Sequence, residues 1–71
     1  MKENEIIEAI AYALEIDKER LNNDTKRESI EEWDSLGHIE IISELEERLN
    51  IKIPFEGIAD IEKVSDFFKY A

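Results

Sequence analysis

Apolar residues recur along the chain at helical rather than strand spacing. Ile6, Ile7, Ile10 and Leu14 fall within about 100° of arc at 3.6 residues per turn, and Glu3, Asn4, Glu8 and Glu15 surround that stripe. The pattern predicts a helix from about Lys2 to about Leu14. A polar connection follows from Glu15 to Asp34, and its Asn22-Asn23-Asp24-Thr25 stretch is a turn signal. Ile16, Leu21 and Ile30 are spaced along it as anchors onto the bundle. So long a connection without structure of its own is unusual in a compact domain. A helical turn is therefore expected near Asp17–Leu21 or Ser29–Glu32.

The second helix is the clearest. Asp34 is a good N-cap, and the helix is expected from Ser35 to about Leu49. Ile39, Ile41, Ile42, Leu45 and Leu49 are assigned to its core face, and Leu36, Glu40, Ser43, Glu44 and Glu47 to the opposite side. Asn50 is the expected C-terminal stop. Ile51-Lys52-Ile53-Pro54 reads as an extended link, because the residue before a proline avoids the helical region. A short third helix, weakened by Gly57, is expected from Phe55 to about Ile61. Val64, Phe67 and Phe68 mark a last helix to about Tyr70. The fold class is all-α: a small four-helix bundle with a long loop after the first helix and a short third helix.

Size and charge narrow the function. At 71 residues the chain is one domain, residues 1–71, with a single modest core. It carries 9 basic and 19 acidic residues, a formal charge of −10. That balance argues against nucleic-acid surfaces, which are basic, and against anionic membranes. It favours basic protein partners. The apolar share of 42% argues for a folded domain despite the charge. With no cysteine there is no disulfide, thiolate metal site or thiol nucleophile, and a cytoplasmic location is expected. The acidic start Met1-Lys2-Glu3-Asn4-Glu5 has no apolar run behind it, so no signal peptide or membrane span is expected.

The chemistry-bearing stretch is Glu32-Trp33-Asp34-Ser35-Leu36-Gly37-His38-Ile39. If Asp34 caps the helix, Ser35 takes its first position, with the hydroxyl at the positive end of the helix dipole. A phosphate attached there is favoured by that dipole. Local physics alone permits a plainer reading, in which both residues simply cap the helix. Trp33 and His38 would then occupy N′ and N4, the geometry of a hydrophobic staple. The functional alternative places His38 beside a prosthetic arm that folds back.

Asp34-Ser35-Leu36, opening an acidic amphipathic helix, resembles the attachment motif of acyl carrier proteins. The likeness spans nearly the whole chain and includes Ile51-Lys52-Ile53-Pro54 and Ile61-Glu62-Lys63-Val64-Ser65-Asp66-Phe67-Phe68. It implies that Ser35 accepts a 4′-phosphopantetheine arm from coenzyme A, added by a phosphopantetheinyl transferase. The arm's thiol would carry cargo as a thioester, which explains why the protein needs no cysteine. The carrier itself is not an enzyme, and no catalytic or metal-ligating residue is assigned. Partner recognition would fall to Leu36, Glu40, Glu46 and Glu47, with Ile53 and Glu56 near the third helix and Glu44 adding charge. The implied partners are a loading ligase and downstream synthase or transferase enzymes with basic patches, met by a monomer.

Two positions depart from the pattern of fatty-acid carriers. Gly37 stands where an acid is common, and Ser43 where a bulky apolar residue is common. Both point to a specialised pathway, with an aminoacyl, short acyl or polyketide-type cargo. Other readings are weaker. Ser35 and His38 are i, i+3 on one helix, but a hydrolase would also need an orienting acid, a nucleophile elbow and an oxyanion hole. Asp17–Glu28 is acidic but lacks the glycine and spacing of a calcium loop. The remaining alternative is an acidic helical adaptor without a prosthetic group.

Overall fold

The computed structural model describes residues 2–71. The helices are α1 (Lys2–Leu14), α2 (Ser35–Leu49) and α3 (Phe55–Ile58), followed by a C-terminal 3₁₀ helix over Val64–Tyr70. Two single 3₁₀ turns, Lys18–Arg20 and Arg27–Ser29, interrupt the long loop. The first falls where it is expected, and the second starts two residues earlier than its expected place. The last helix also has the expected span, with 3₁₀ rather than α winding. Among the described residues there is no strand, only an isolated antiparallel bridge between Lys26 and Lys63.

The core lies where α1 crosses α2. Ile6, Ala9, Ile10 and Leu14 of α1 are buried with Ile41 and Leu45 of α2. Trp33, Ile61, Val64 and Phe67 complete it, and Leu21 and Ile30 pin the loop down as their spacing suggested. Both long helices end in a left-handed residue. Asn50 (φ 57°) stops α2 as expected, but Glu15 (φ 58°) stops α1. The bonds Ile16 N to Ala11 O and Glu15 N to Tyr12 O make that end a Schellman motif, in which glycine is the usual residue. α3 ends at Ile58, short of the expected Ile61, which instead drops into the core.

One assignment of the core face is overturned. Ile39 is 54% exposed and does not share the core face of Ile41 and Leu45. At 100° per residue Ile39 and Ile41 sit about 200° apart, so one buried face cannot hold both. The buried strip of α2 is Gly37, His38, Ile41 and Leu45.

Candidate functional site

The start of α2 is built as the sequence suggests. Asp34 has extended backbone, and its Oδ1 accepts the Gly37 amide at 2.8 Å. The Asp34 carbonyl accepts the His38 amide at 2.8 Å. Ser35 is therefore the first helical residue, and its side chain is exposed. Its own amide and that of Leu36 belong to the first turn, which has no intrahelical acceptors.

Trp33 and His38 pack below this turn, with ring centroids 6.1 Å apart. They share a hydrogen bond as well as apolar contact: Trp33 Nε1–H donates to His38 Nδ1 at 2.8 Å. Indole is a donor only, which makes Nδ1 the acceptor and assigns the proton to Nε2. That Nε2–H donates to the Ile58 carbonyl at 2.9 Å. His38 is only 3% exposed. Burial pushes its pKa below the usual range, the Ile58 bond opposes that shift, and the nearby Arg27 charge adds to it. His38 thus ties α2 to α3 through the core and faces no open surface.

Gly37 has a structural reason. A Cβ there would lie 2.3 Å from the Glu32 carbonyl oxygen and 2.8 Å from Leu14 Cδ2. Lacking one, the helix start can press against both the loop and α1. The absence of an acid at this position is a packing requirement of a buried residue, not a change to the exposed face.

Beside Ser35 a groove runs between the loop and the chain after α3. Lys26, Arg27, Trp33, Ile61 and Lys63 are among the residues that line it. Arg27 Nε–H donates to the Trp33 carbonyl at 3.2 Å. The loop wall is braced by a two-bond contact between Arg20 and Glu32, at 3.0 and 3.1 Å, and Arg20 holds the Glu32 carboxyl below its ordinary pKa. The Asn22–Thr25 turn closes through Asn22 Oδ1 and Thr25 Oγ1, each accepting an amide at 2.8 Å.

The residues assigned to recognition divide into groups. Leu36 is 67% exposed, and Glu40, Glu46, Glu47 and Glu56 are exposed. Glu44 is half-buried and paired with Arg48 at 2.8 Å, so its charge is already partnered. Ile53 is half-buried against the core. Three exposed large hydrophobic residues escaped sequence reasoning: Ile39, Tyr12 on α1 and, at 89% exposure, Phe55 at the head of α3. Among the described residues no group of acids or histidines is placed to hold a metal ion. None of their helices is long and apolar enough to cross a membrane.

The family model described as the phosphopantetheine attachment site matches residues 4–71. Such domains are not themselves catalytic, and they work with phosphopantetheinyl transferases and biosynthetic enzymes. The match covers the chain almost end to end. The chain is a member of the phosphopantetheine attachment site family, a helical carrier protein that bears 4′-phosphopantetheine covalently.

Proposed function

We propose that Ser35 is the attachment residue and that the domain presents a thioester-bound cargo in a specialised biosynthetic pathway. The observation that carries this reading is the exposed Ser35 side chain on the first turn of a 15-residue helix. The surroundings fit a phosphodiester. The first-turn amides are free of intrahelical acceptors, the helix end favours negative charge, and an open groove gives the arm room. In the transfer, Ser35 Oγ forms a bond to phosphorus as the bond to the adenosine bisphosphate half of coenzyme A breaks. The hydroxyl proton leaves to a base on the transferase. Once attached, the arm supplies the thiol that the chain lacks. The role of this chain is to hold the hydroxyl in the open and keep the helix start rigid.

Recognition is assigned to the exposed side of α2. Leu36 is the apolar contact, and Glu40, Glu46 and Glu47 steer basic partners. Glu56 extends the charge along α3, and Ile39 and Phe55 widen the apolar part. Glu44 and Ile53 take lesser roles because their side chains are already engaged. The domain's partners are a phosphopantetheinyl transferase, a loading ligase and the downstream synthase or transferase enzymes of an aminoacyl, short-acyl or polyketide-type pathway. The domain acts as a monomer in the cytoplasm.

One loading assay tests both parts. Incubation with coenzyme A and a phosphopantetheinyl transferase is expected to add a single phosphopantetheine to the intact mass. Ser35→Ala is expected to gain none while keeping its helical circular dichroism. Leu36→Ala is expected to load more slowly, because removing an apolar interface side chain costs on the order of 1–3 kcal/mol. Loading of Ser35→Ala at another residue would refute the site, and wild-type loading of Leu36→Ala would move recognition off this face.

A further inference from the structure

A second groove runs between the end of α1 and the exposed side of α2. Tyr12, Ala13 and Ile16 make its α1 wall apolar, over the buried Ala11. Its α2 wall is Glu40, Ser43, Glu44 and Glu47. At 100° per residue Leu36, Glu40, Ser43 and Glu47 fall within about 60° of arc. The exposed stripe assigned to recognition therefore leads into this groove. Ser43 keeps the α2 wall low, since the bulky apolar side chain common here in fatty-acid carriers would stand in the groove.

No lysine or arginine is among the lining residues, and four of them are glutamates. Glu44 is already paired with Arg48, at 2.8 Å. Glu15, Glu40 and Glu47 are exposed and enter none of the ion pairs among the described residues, which join Lys18 to Glu8, Arg20 to Glu32 and Arg48 to Glu44. Glu15 moreover holds a left-handed backbone (φ 58°), where glycine is the usual residue. One guanidinium shows what the aromatic of this groove accepts. Arg48 lies over the Tyr12 ring, 4.6 Å from its centroid, while its Nε bonds Glu44. Arg48 is not itself a lining residue, and Tyr12 is 65% exposed, so the groove meets the open part of the ring.

We propose that this groove docks an arginine-bearing segment of a partner enzyme. An arginine of that segment lies against the open part of Tyr12, with its methylenes on Ala13 and Ile16 and its charge toward Glu15, Glu40 and Glu47. The proposal rests on the reading of α2 as the recognition face, and it extends that face onto α1. The chemistry of the walls selects the occupant. An anion would meet only carboxylates. An apolar segment would bury three carboxylates that have no partner, at a cost nothing offsets. A cation is attracted by both the ring and the rim. Arginine is favoured over lysine, because its planar, weakly hydrated guanidinium stacks on an aromatic face.

Amide NMR titrations of the protein test this with a short capped peptide carrying several arginines and one leucine, and with its lysine counterpart. The arginine peptide is expected to shift the Tyr12, Glu15, Ile16 and Ser43 amides along one saturating curve. It is expected to bind about 2–5-fold more tightly than the lysine peptide, the worth of an exposed cation–π contact. Tyr12→Leu is expected to erase that preference while keeping the helical circular dichroism. Glu15→Gly, which suits the left-handed position, is expected to weaken both peptides without lowering the thermal midpoint. Ser43→Leu is expected to weaken both by filling the groove. Equal affinity of the two peptides for the wild type, or shifts that spread over every acidic helix without saturating, overturns the proposal. Saturating shifts confined to Leu36, Ile39 and Glu46 overturn the groove and leave α2 as the recognition face. Absence of binding overturns the groove alone if Leu36→Ala still loads slowly, and both readings if it loads at the wild-type rate.

Discussion

Among the described residues His38 is the one buried ionisable side chain, and both of its ring nitrogens are committed. Protonation would put a proton on Nδ1, where the Trp33 indole can only donate, so the charged ring breaks that bond. The folded pKa lies below 6.5. The stability contributed by the neutral ring is therefore complete above pH 6.5 and is lost as the pH falls through the folded value. His38→Gln cannot titrate, while the carboxylates titrate alike in both proteins. The difference in unfolding free energy between the two, measured with urea, is expected to be smaller at about pH 5 than at about pH 7.5. A gap that stays constant would mean that the ring does not respond to pH in this range. The N′ and N4 positions of Trp33 and His38 were legible from the sequence, because a capping aspartate fixes the count. The hydrogen bond to Ile58 was not, because it joins two elements that only tertiary packing brings together.

At the scale of the helices, the contact of α1 and α2 through Gly37 decides how closely the site is held. A Cβ at Gly37 would meet the backbone oxygen of Glu32, which cannot swing aside, whereas a Cβ at Gly57 would meet the hydroxyl of Tyr70, the far end of a side chain. Gly37→Ala is expected to lose about 1–3 kcal/mol of stability, with a smaller loss for Gly57→Ala. Thermal unfolding of the two variants compares them, and equal midpoints would refute this account of Gly37. The extents of α1 and α2 could be read from periodicity and caps, since Asp34 and Asn50 act within one turn of chain. The exposure of Ile39 was legible only in part: the helical repeat sets it about 200° from Ile41, so one of the two must face out, and α1 selects Ile41 and Leu45 for the core. The groove was also invisible, since one wall comes from the loop and the other from the chain after α3.

The whole molecule measures 25 × 25 × 19 Å and carries a net charge of −10. Charges of one sign at that density repel one another in the folded state. The Lys18–Glu8 and Arg20–Glu32 pairs lie at the exposed surface, where such contacts contribute little. Moderate salt or millimolar divalent cation is expected to raise the melting midpoint by screening the repulsion. A falling midpoint would show that the few attractive pairs outweigh it.

The Lys26–Lys63 bridge has a topological consequence. It closes the chain into a ring that contains both α2 and α3, so the loop before the helix and the segment after it become neighbours at the cost of closing the whole ring. Val64 and Phe67, fully buried, are the clasp that keeps the ring shut. The surroundings of Ser35 thus take their order from residues about 30 positions further along the chain. If the clasp loosened, the Asp34-Ser35-Leu36 motif would keep its helix start and lose the second wall of its groove.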